Sequence, residues 1–367
     1  MKKITMICAG IICAFLSTAQ TTRIANNNPG ATGGTNVYTG TDALQDAIDA
    51  AVSGDIIHVV PSAEDYNDGM IDGKSLTIIG IGLDPTSDIG LRSLVDEIRL
   101  DNTGASGSRI SGLHVSRVSM AISTTFAHTV SNVLIENCLI DRIHGAGFAV
   151  GSPNSISGII IRNCIINSSN STGDAQGFEL YNSSGVVIEN NIIKGRCCVA
   201  GSVQGVGMTI QHNLFFNGSN GISFHNIDDC IVRNNIFLNS TPGIGTGQTG
   251  NTFTNNLSYN TTNDVFLDGV DGNTASGNLE GVNPMLTDVP QSTSDWNFSN
   301  DITPITGSPV LGAATDGTDI GPTGGAVPFN IEGSFLPLIE SLSVPTVVSQ
   351  GVDLQVTIKA RGNITND

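Results

Sequence analysis

Basic residues are scarce. The chain of 367 residues holds 15 Lys+Arg against 33 Asp+Glu, a formal net charge of −18. A surface of that sign repels nucleic acid and anionic membranes, so neither is expected as a partner. Charged residues of both signs reach only 13%, while 39% are apolar, which excludes disorder driven by charge repulsion. Aromatics are 5%, with Trp296 the single tryptophan, so few rings are available for sugars to stack on. Apart from the first twenty residues there is no long apolar run, which excludes a polytopic membrane protein. No Cys-X-X-Cys spacing occurs, so a thiolate zinc site is not expected. What the chain does have is glycine, 44 residues of it, without the Gly-X-Y period of a collagen.

Lys2 and Lys3 precede an apolar run from Ile4 to Leu16, and Ser17-Thr18-Ala19 offers small residues for cleavage. Residues 1–19 therefore read as a bacterial-type secretory signal, cut after Ala19, with an uncleaved anchor helix as the alternative. Cys8 and Cys13 lack the small preceding residue of a lipoprotein box. The mature protein is expected outside the cytoplasm, secreted or at the cell surface, with no membrane span. Loss of two lysines takes its charge from −18 to about −20. Five cysteines remain (Cys138, Cys164, Cys197, Cys198 and Cys230), an odd number, so at least one thiol is unpaired within the chain.

The middle of the chain repeats itself. Val133-Leu-Ile-Glu-Asn-Cys-Leu-Ile140 is followed by Ile159-Ile-Ile-Arg-Asn-Cys-Ile-Ile166 and Val186-Val-Ile-Glu-Asn-Asn-Ile-Ile193. Met208-Thr-Ile-Gln-His-Asn-Leu-Phe215 and Cys230-Ile-Val-Arg-Asn-Asn-Ile-Phe237 continue it. Copies beginning at Asn251 and Asn273 fade out, and weaker ones precede at Ser75 and Arg109. The sixth position reads Cys138, Cys164, Asn191, Asn213, Asn235, Asn256, Asn278, with steps of 26, 27, 22, 22, 21 and 22 residues. The first and third positions are apolar and share one face of a strand. The sixth is expected to bend the chain, and two further apolar residues begin a second strand. A third strand, such as Gly177-Phe-Glu-Leu-Tyr181 or Gly221-Ile-Ser-Phe-His225, completes a triangular coil. One coil cannot bury its own apolar residues, but coils stacked about 4.8 Å apart bury a continuous column. Stacked asparagines can hydrogen-bond up and down that column as a ladder. A leucine-rich repeat would need helical periodicity, and a propeller would need units of about 40 residues. The expected fold class is all-β, a parallel solenoid.

These repeats resemble those of the right-handed parallel β-helix (pectate-lyase-like) superfamily, in its bacterial secreted or surface form. The segment Asp42-Ala-Leu-Gln-Asp-Ala-Ile-Asp-Ala-Ala51, then Gly54–Pro61 and Leu76–Gly80, resembles the start of such a domain. Leu44, Ala47, Ile48 and Ala51 share one helical face that can cap the apolar column. Asn283–Leu286, Gly307–Gly312 and Asp319–Gly325 resemble the end of one. The expected organisation is a linker at 20–38, the β-helix at 39–326, and at 327–367 a short β extension or the start of an attachment module.

The resemblance implies action on acidic polysaccharide, as lyase or hydrolase, in a cleft along the third strand of each coil. These strands are expected at 147–150, 177–181, 198–201, 221–225, 243–247 and 264–268, with entering loops at 141–146, 167–176 and 194–197 among others. The polar residues expected there are Lys194, Arg196, His225 and Tyr181 as catalytic candidates, with Arg142, His144, Glu179 and Asp174 as substrate contacts. β-Elimination of a uronate needs a cation for the carboxylate, a base for the C5 proton and an acid for the leaving oxygen. Lys, Arg, His and Tyr can supply these. The competing reading makes the same residues ordinary stacked surface groups, and the protein a non-catalytic glycan-binding or structural β-helix. Asp228-Asp229 and His144-Gly145 are only fragments of the hydrolase pattern of clustered aspartates with Gly-His-Gly, so hydrolysis is disfavoured. Asp264, Asp268 and Asp271 are a candidate calcium loop or plain turn formers; no other cofactor is indicated. Glu136, Arg162, Glu189, Gln211, Arg233 and Thr254 form an outward ladder read as structural. Cys138 and Cys164 are either a disulfide or two buried thiols. Polysaccharide is the expected partner, and the protein a monomer.

Overall fold

The structure, a computed structural model, describes residues 20–83, 91–122, 127–146, 153–168, 176–194, 196–198, 205–216, 222–225, 227–244, 249–261, 263–288, 300–331, 338–344 and 353–361. At 176, 196–198, 205, 222–223, 225, 243–244, 338–342 and 360–361 only the backbone is described. It is a parallel β-solenoid. One sheet of 12 strands collects the first strand of every repeat, from Thr22–Asn26 through Leu134–Glu136 and Ile160–Arg162 to Thr274–Ser276. A branched sheet of 14 strands collects the second and third strands, and a narrow sheet of five closes the triangle. Neighbouring coils pair in register, for example Leu134↔Ile160↔Val187↔Thr209↔Ile231↔Thr252. That register puts Ile135, Ile161, Ile188, Ile210, Val232 and Phe253 into one buried column.

The chain turns at the fifth position of each repeat, one residue before the expected place. Asn137, Asn163, Asn190, His212, Asn234 and Asn255 all have φ between 50° and 58°. This is the left-handed region that asparagine tolerates because its short amide bonds locally. The sixth position then points inward. Asn191, Asn213, Asn235, Asn256 and Asn278 form the expected ladder, with Nδ2 to Oδ1 distances of 3.0, 3.0, 3.0 and 3.1 Å. Each of the first four Oδ1 acceptors also takes the backbone N–H of the coil before it, beginning with Cys164 N–H on Asn191 at 2.9 Å. Cys138 and Cys164 stand in this column as free buried thiols, each donating to a backbone carbonyl at 3.2 Å. A second, shorter ladder links Asn251 to Asn273 at another corner. On the outer face Glu136 is buried between Arg109 and Arg162, and Arg233 and Glu189 both bond Gln211.

The two apolar residues after the ladder point in opposite directions, as strand neighbours must. Ile166, Ile193, Phe215 and Phe237 enter the interior; Ile165, Ile192, Leu214 and Ile236 face out. Residues 300–331 fold back along the solenoid and cover this outer stripe with Ile302, Val310, Ala314 and Ile320. The corner asparagines hold this strap: Asn190 donates to the carbonyls of Pro322 and Gly324, Asn234 to Thr315, Asn255 to Ala313. At the other end, helix α1 (Ala43–Ala50) buries Ala43, Leu44, Ala47 and Ile48 against the first strands. Residues 20–38, expected as a linker, carry strands. Thr22–Asn26 pairs with Ile56–Val59 on one side and Val37–Thr39 on the other. Its buried Ala25 and a bridge from Arg23 to Asp55 tie it to the domain. At the C-terminal side, Leu338–Ser343 and Thr357–Arg361 form an antiparallel pair.

Candidate functional site

Three strands are longer than the rest: Leu94–Leu100, His114–Met120 and Leu139–Gly145. Each runs round a corner without a break and so belongs to the second and third faces at once. In the last of them Ile140 and Ile143 both point inward, leaving Asp141 exposed and Arg142 half-buried at the bend. This corrects the expected layout: 141–146 is mostly strand rather than an entering loop, and the third-face strand of that coil is 143–145. The expected segment 147–150 lies outside the described residues. One coil later the chain leaves the sheet after Asn167 and rejoins it at Gln176, so the sheet divides there.

Register on the third face defines two columns of Cα partners. Glu97, Arg117 and Arg142 are Cα partners in one. Arg99, Ser119, His144, Glu179, Cys198 and His225 follow one another in the second. Inward residues between the columns (Ile98, Val118, Ile143, Phe178) anchor the strands in the core.

Around His144 the side chains converge. Its Nε2 lies 3.9 Å from Glu179 Oε2, and Arg142 Nη1 lies 4.0 Å from Glu179 Oε1. Tyr181 presents its ring edge-on to the imidazole, centroids 6.0 Å apart. His144 is completely buried. Burial, with the charges of Arg117 and Arg142, drops its pKa to about 4, so at neutral pH it is uncharged. Burial raises the carboxyl of Glu179, with Arg142 and Arg117 pulling the other way. Glu97 behaves oppositely. Burial pushes it up, but hydrogen bonds from Arg117 and Ser119 and the charges of Arg117 and Arg99 outweigh that and hold it below the usual carboxylate range. The side chains of Arg99, Arg117 and Arg142 remain 35%, 43% and 31% exposed. Three guanidinium groups therefore rim a face whose acidic and imidazole groups are sunk, in a protein that is otherwise strongly acidic. Such a face can bind anions, and its neutral imidazole can accept a proton.

Of the residues selected in the sequence, Arg142, His144, Glu179 and Tyr181 are brought together. Lys194 lies on Ile192–Lys194 in the other branch of the divided sheet, opposite Asn167. The backbone of Arg196 pairs with Gln176, and Arg196–Cys198 runs between the strands of Glu179 and His225. The side chains of Arg196 and His225 lie outside the described residues, as does Asp174. Sequence reading missed Glu97, Arg99, Arg117 and Ser119. In the weaker copy that begins at Arg109, Arg117 and Ser119 follow Val115 at the spacing of Arg142 and His144 after Ile140. His114 is buried with Nε2 at 2.8 Å from the Leu83 carbonyl.

Among the described residues no group of three or more His, Cys, Asp or Glu is placed to hold a metal ion. Asp264 and Asp268 accept backbone N–H groups of Thr261 and Ala275, and Asp271 turns the chain at φ 50°. No described helix is long and apolar enough to cross a membrane.

Two family models match the chain. Residues 96–215 match the right-handed β-helix region, a stretch that contains the Arg99–Glu179 column. Residues 177–283 match the family described as periplasmic copper-binding protein (NosD). No curated protein matches it. Parallel in-register coils, an internal asparagine ladder and the β-helix match agree: the chain belongs to the right-handed parallel β-helix superfamily, the broad group that includes pectate-lyase-like proteins.

Proposed function

We propose that this protein is an exported β-helix that binds acidic polysaccharide across its third face. The observation that supports this is the arginine rim, Arg99, Arg117 and Arg142, on one strand face of a chain with net charge −18. Guanidinium groups recognise carboxylates through paired N–H donors, and a glycan acid supplies a row of them. An extracytoplasmic or periplasmic location suits the reading, since NosD proteins are described as periplasmic. Among the described residues no group of three or more His, Cys, Asp or Glu is placed to hold the copper of that description. Cys138, Cys164 and Cys230 are buried thiols, and burial raises Cys164 and Cys230 away from the thiolate form that copper takes.

A second reading, uronate β-elimination, draws on the placing of His144 beside Tyr181 and Arg142, although burial and the arginine charges that drop His144 to about 4 weaken it as a base. In that reaction His144 takes the C5 proton, Arg142 holds the carboxylate and Tyr181 gives a proton to the leaving oxygen. His144 is fully buried, so substrate must displace what covers it, and this makes binding the better supported of the two.

One experiment addresses both. Polygalacturonate and alginate are titrated into the protein, with and without calcium, while absorbance near 235 nm is followed. Binding that weakens with salt and falls about tenfold in Arg142→Ala supports the reading. Rising absorbance that is lost in His144→Gln establishes the lyase. No binding by a folded protein refutes both.

A further inference from the structure

The coils before Arg142 carry a second charged group. Glu97 is 3% exposed, and its Oε2 accepts from Arg117 Nη2 at 2.9 Å and from Arg99 Nη2 at 3.2 Å. The Ser119 hydroxyl donates to its Oε1 at 2.5 Å. One carboxylate thus takes three donors, and Asp68 and Asp96 add negative charge near Arg117. The Nε of both arginines is buried, so the exposed polar part of each is its Nη end. Neither arginine packs the interior, which Ile98, Leu100, Val118 and Met120 fill. As Glu136 does with Arg109 and Arg162, a buried acid here fixes two arginines; these two are open to solvent and lie on the strands beside Arg142.

Arg117 is the Cα partner of Arg142 on the adjacent strand, and Arg99 lies one strand further. Adjacent strands are about 4.8 Å apart, close to the rise of one sugar residue in an extended glycan. We propose that Arg99 and Arg117, aligned by Glu97, form a second anion subsite that takes the next acidic groups of the same glycan chain. The inference rests on the polysaccharide reading above. Glu97 is a positioning residue: it touches the arginines, not the ligand.

The test exploits a sign. Glu97→Gln keeps the size of the side chain but removes a negative charge from an anion site. If Glu97 contributes only charge, affinity for an acidic glycan rises. If it positions the arginines, affinity falls, because a neutral amide oxygen cannot hold two guanidinium groups and a hydroxyl. Galacturonate and oligogalacturonates of three to six units are titrated into the wild type, Glu97→Gln and Arg117→Ala. In the wild type the longer chains are expected to bind at least tenfold more tightly than the monomer. In both variants that gain shrinks to less than about threefold. Arg117→Ala leaves Glu97 in place and carries the test if Glu97→Gln does not fold. A wild type that binds both lengths equally, or a Glu97→Gln that keeps or enlarges the gain, overturns the subsite while leaving the glycan reading intact. A wild type that binds neither overturns both.

Discussion

Individual residues decide two properties that can be measured. His144 titrates near pH 4 when folded against 6.5 as a free side chain. Between those values the unfolded chain holds a proton that the folded one does not, so stability falls as pH drops through that window. The loss levels off below about pH 4. At about 1.36 kcal/mol for each unit, the full effect is about 3 kcal/mol. Glu179 acts in the opposite sense, so the comparison is between variants: thermal unfolding of His144→Gln from pH 7 to 4 should lack the part of the slope that the wild type shows. Equal slopes would place His144 in a solvated site. The ladder gives the second property. Asn213 donates to Asn235 and to two backbone carbonyls and accepts from Asn191. Asn213→Ala leaves several buried polar groups without partners, at about 1–3 kcal/mol each. Chemical denaturation should show a loss of at least 3 kcal/mol. Cys164→Asn should instead extend the ladder by one rung and gain about 1 kcal/mol. The ladder at the sixth position was visible in the repeat, but the bend was expected there too and lies at the fifth. Alternating apolar residues reveal which side a strand buries, whereas the residue that turns the chain is set by φ, which Asn at either position can satisfy.

At the scale of elements, the strap and the long strands matter most. Two consecutive apolar residues at Ile165-Ile166, Ile192-Ile193 and Leu214-Phe215 were legible as a strand start. They carried a further message: one of each pair must face outward, and an outward isoleucine in every coil needs a cover. The cover is remote in sequence, at 300–331, so no local pattern named it. Val310 is fully buried in this layer. Val310→Asp should release the strap, raise binding of an apolar dye and expose 300–331 to protease, with the far-ultraviolet β signal unchanged. Loss of that signal instead would show that the solenoid depends on its strap. The unbroken strands were hidden for a related reason. A bend shows in sequence only as two outward residues between inward ones, as at Asp141-Arg142, and this looks the same as a loop. Hence Arg142, His144, Glu179 and Tyr181 were among the eight residues selected through their coils, together with Lys194, Arg196, His225 and Asp174, while Glu97, Arg99 and Arg117 were overlooked in weaker copies.

For the whole molecule, charge organises the account. Most of the surface of an acidic β-helix repels polyanions. A local rim of Arg99, Arg117 and Arg142 can overcome this only at short range, which makes binding steeply dependent on salt and on acidic groups in the ligand. Solenoid architecture was readable because every coil repeats the same burial rule. The proposed binding face was less readable, because it breaks the repeat and draws on side chains from successive coils. The most direct measurement is a calorimetric titration of one polyuronate beside its carboxyl-reduced, neutral form. The account predicts that the acidic glycan binds, with affinity falling as salt rises, and that the neutral form binds at least tenfold more weakly. Equal binding of the two forms, or none by either, would contradict it.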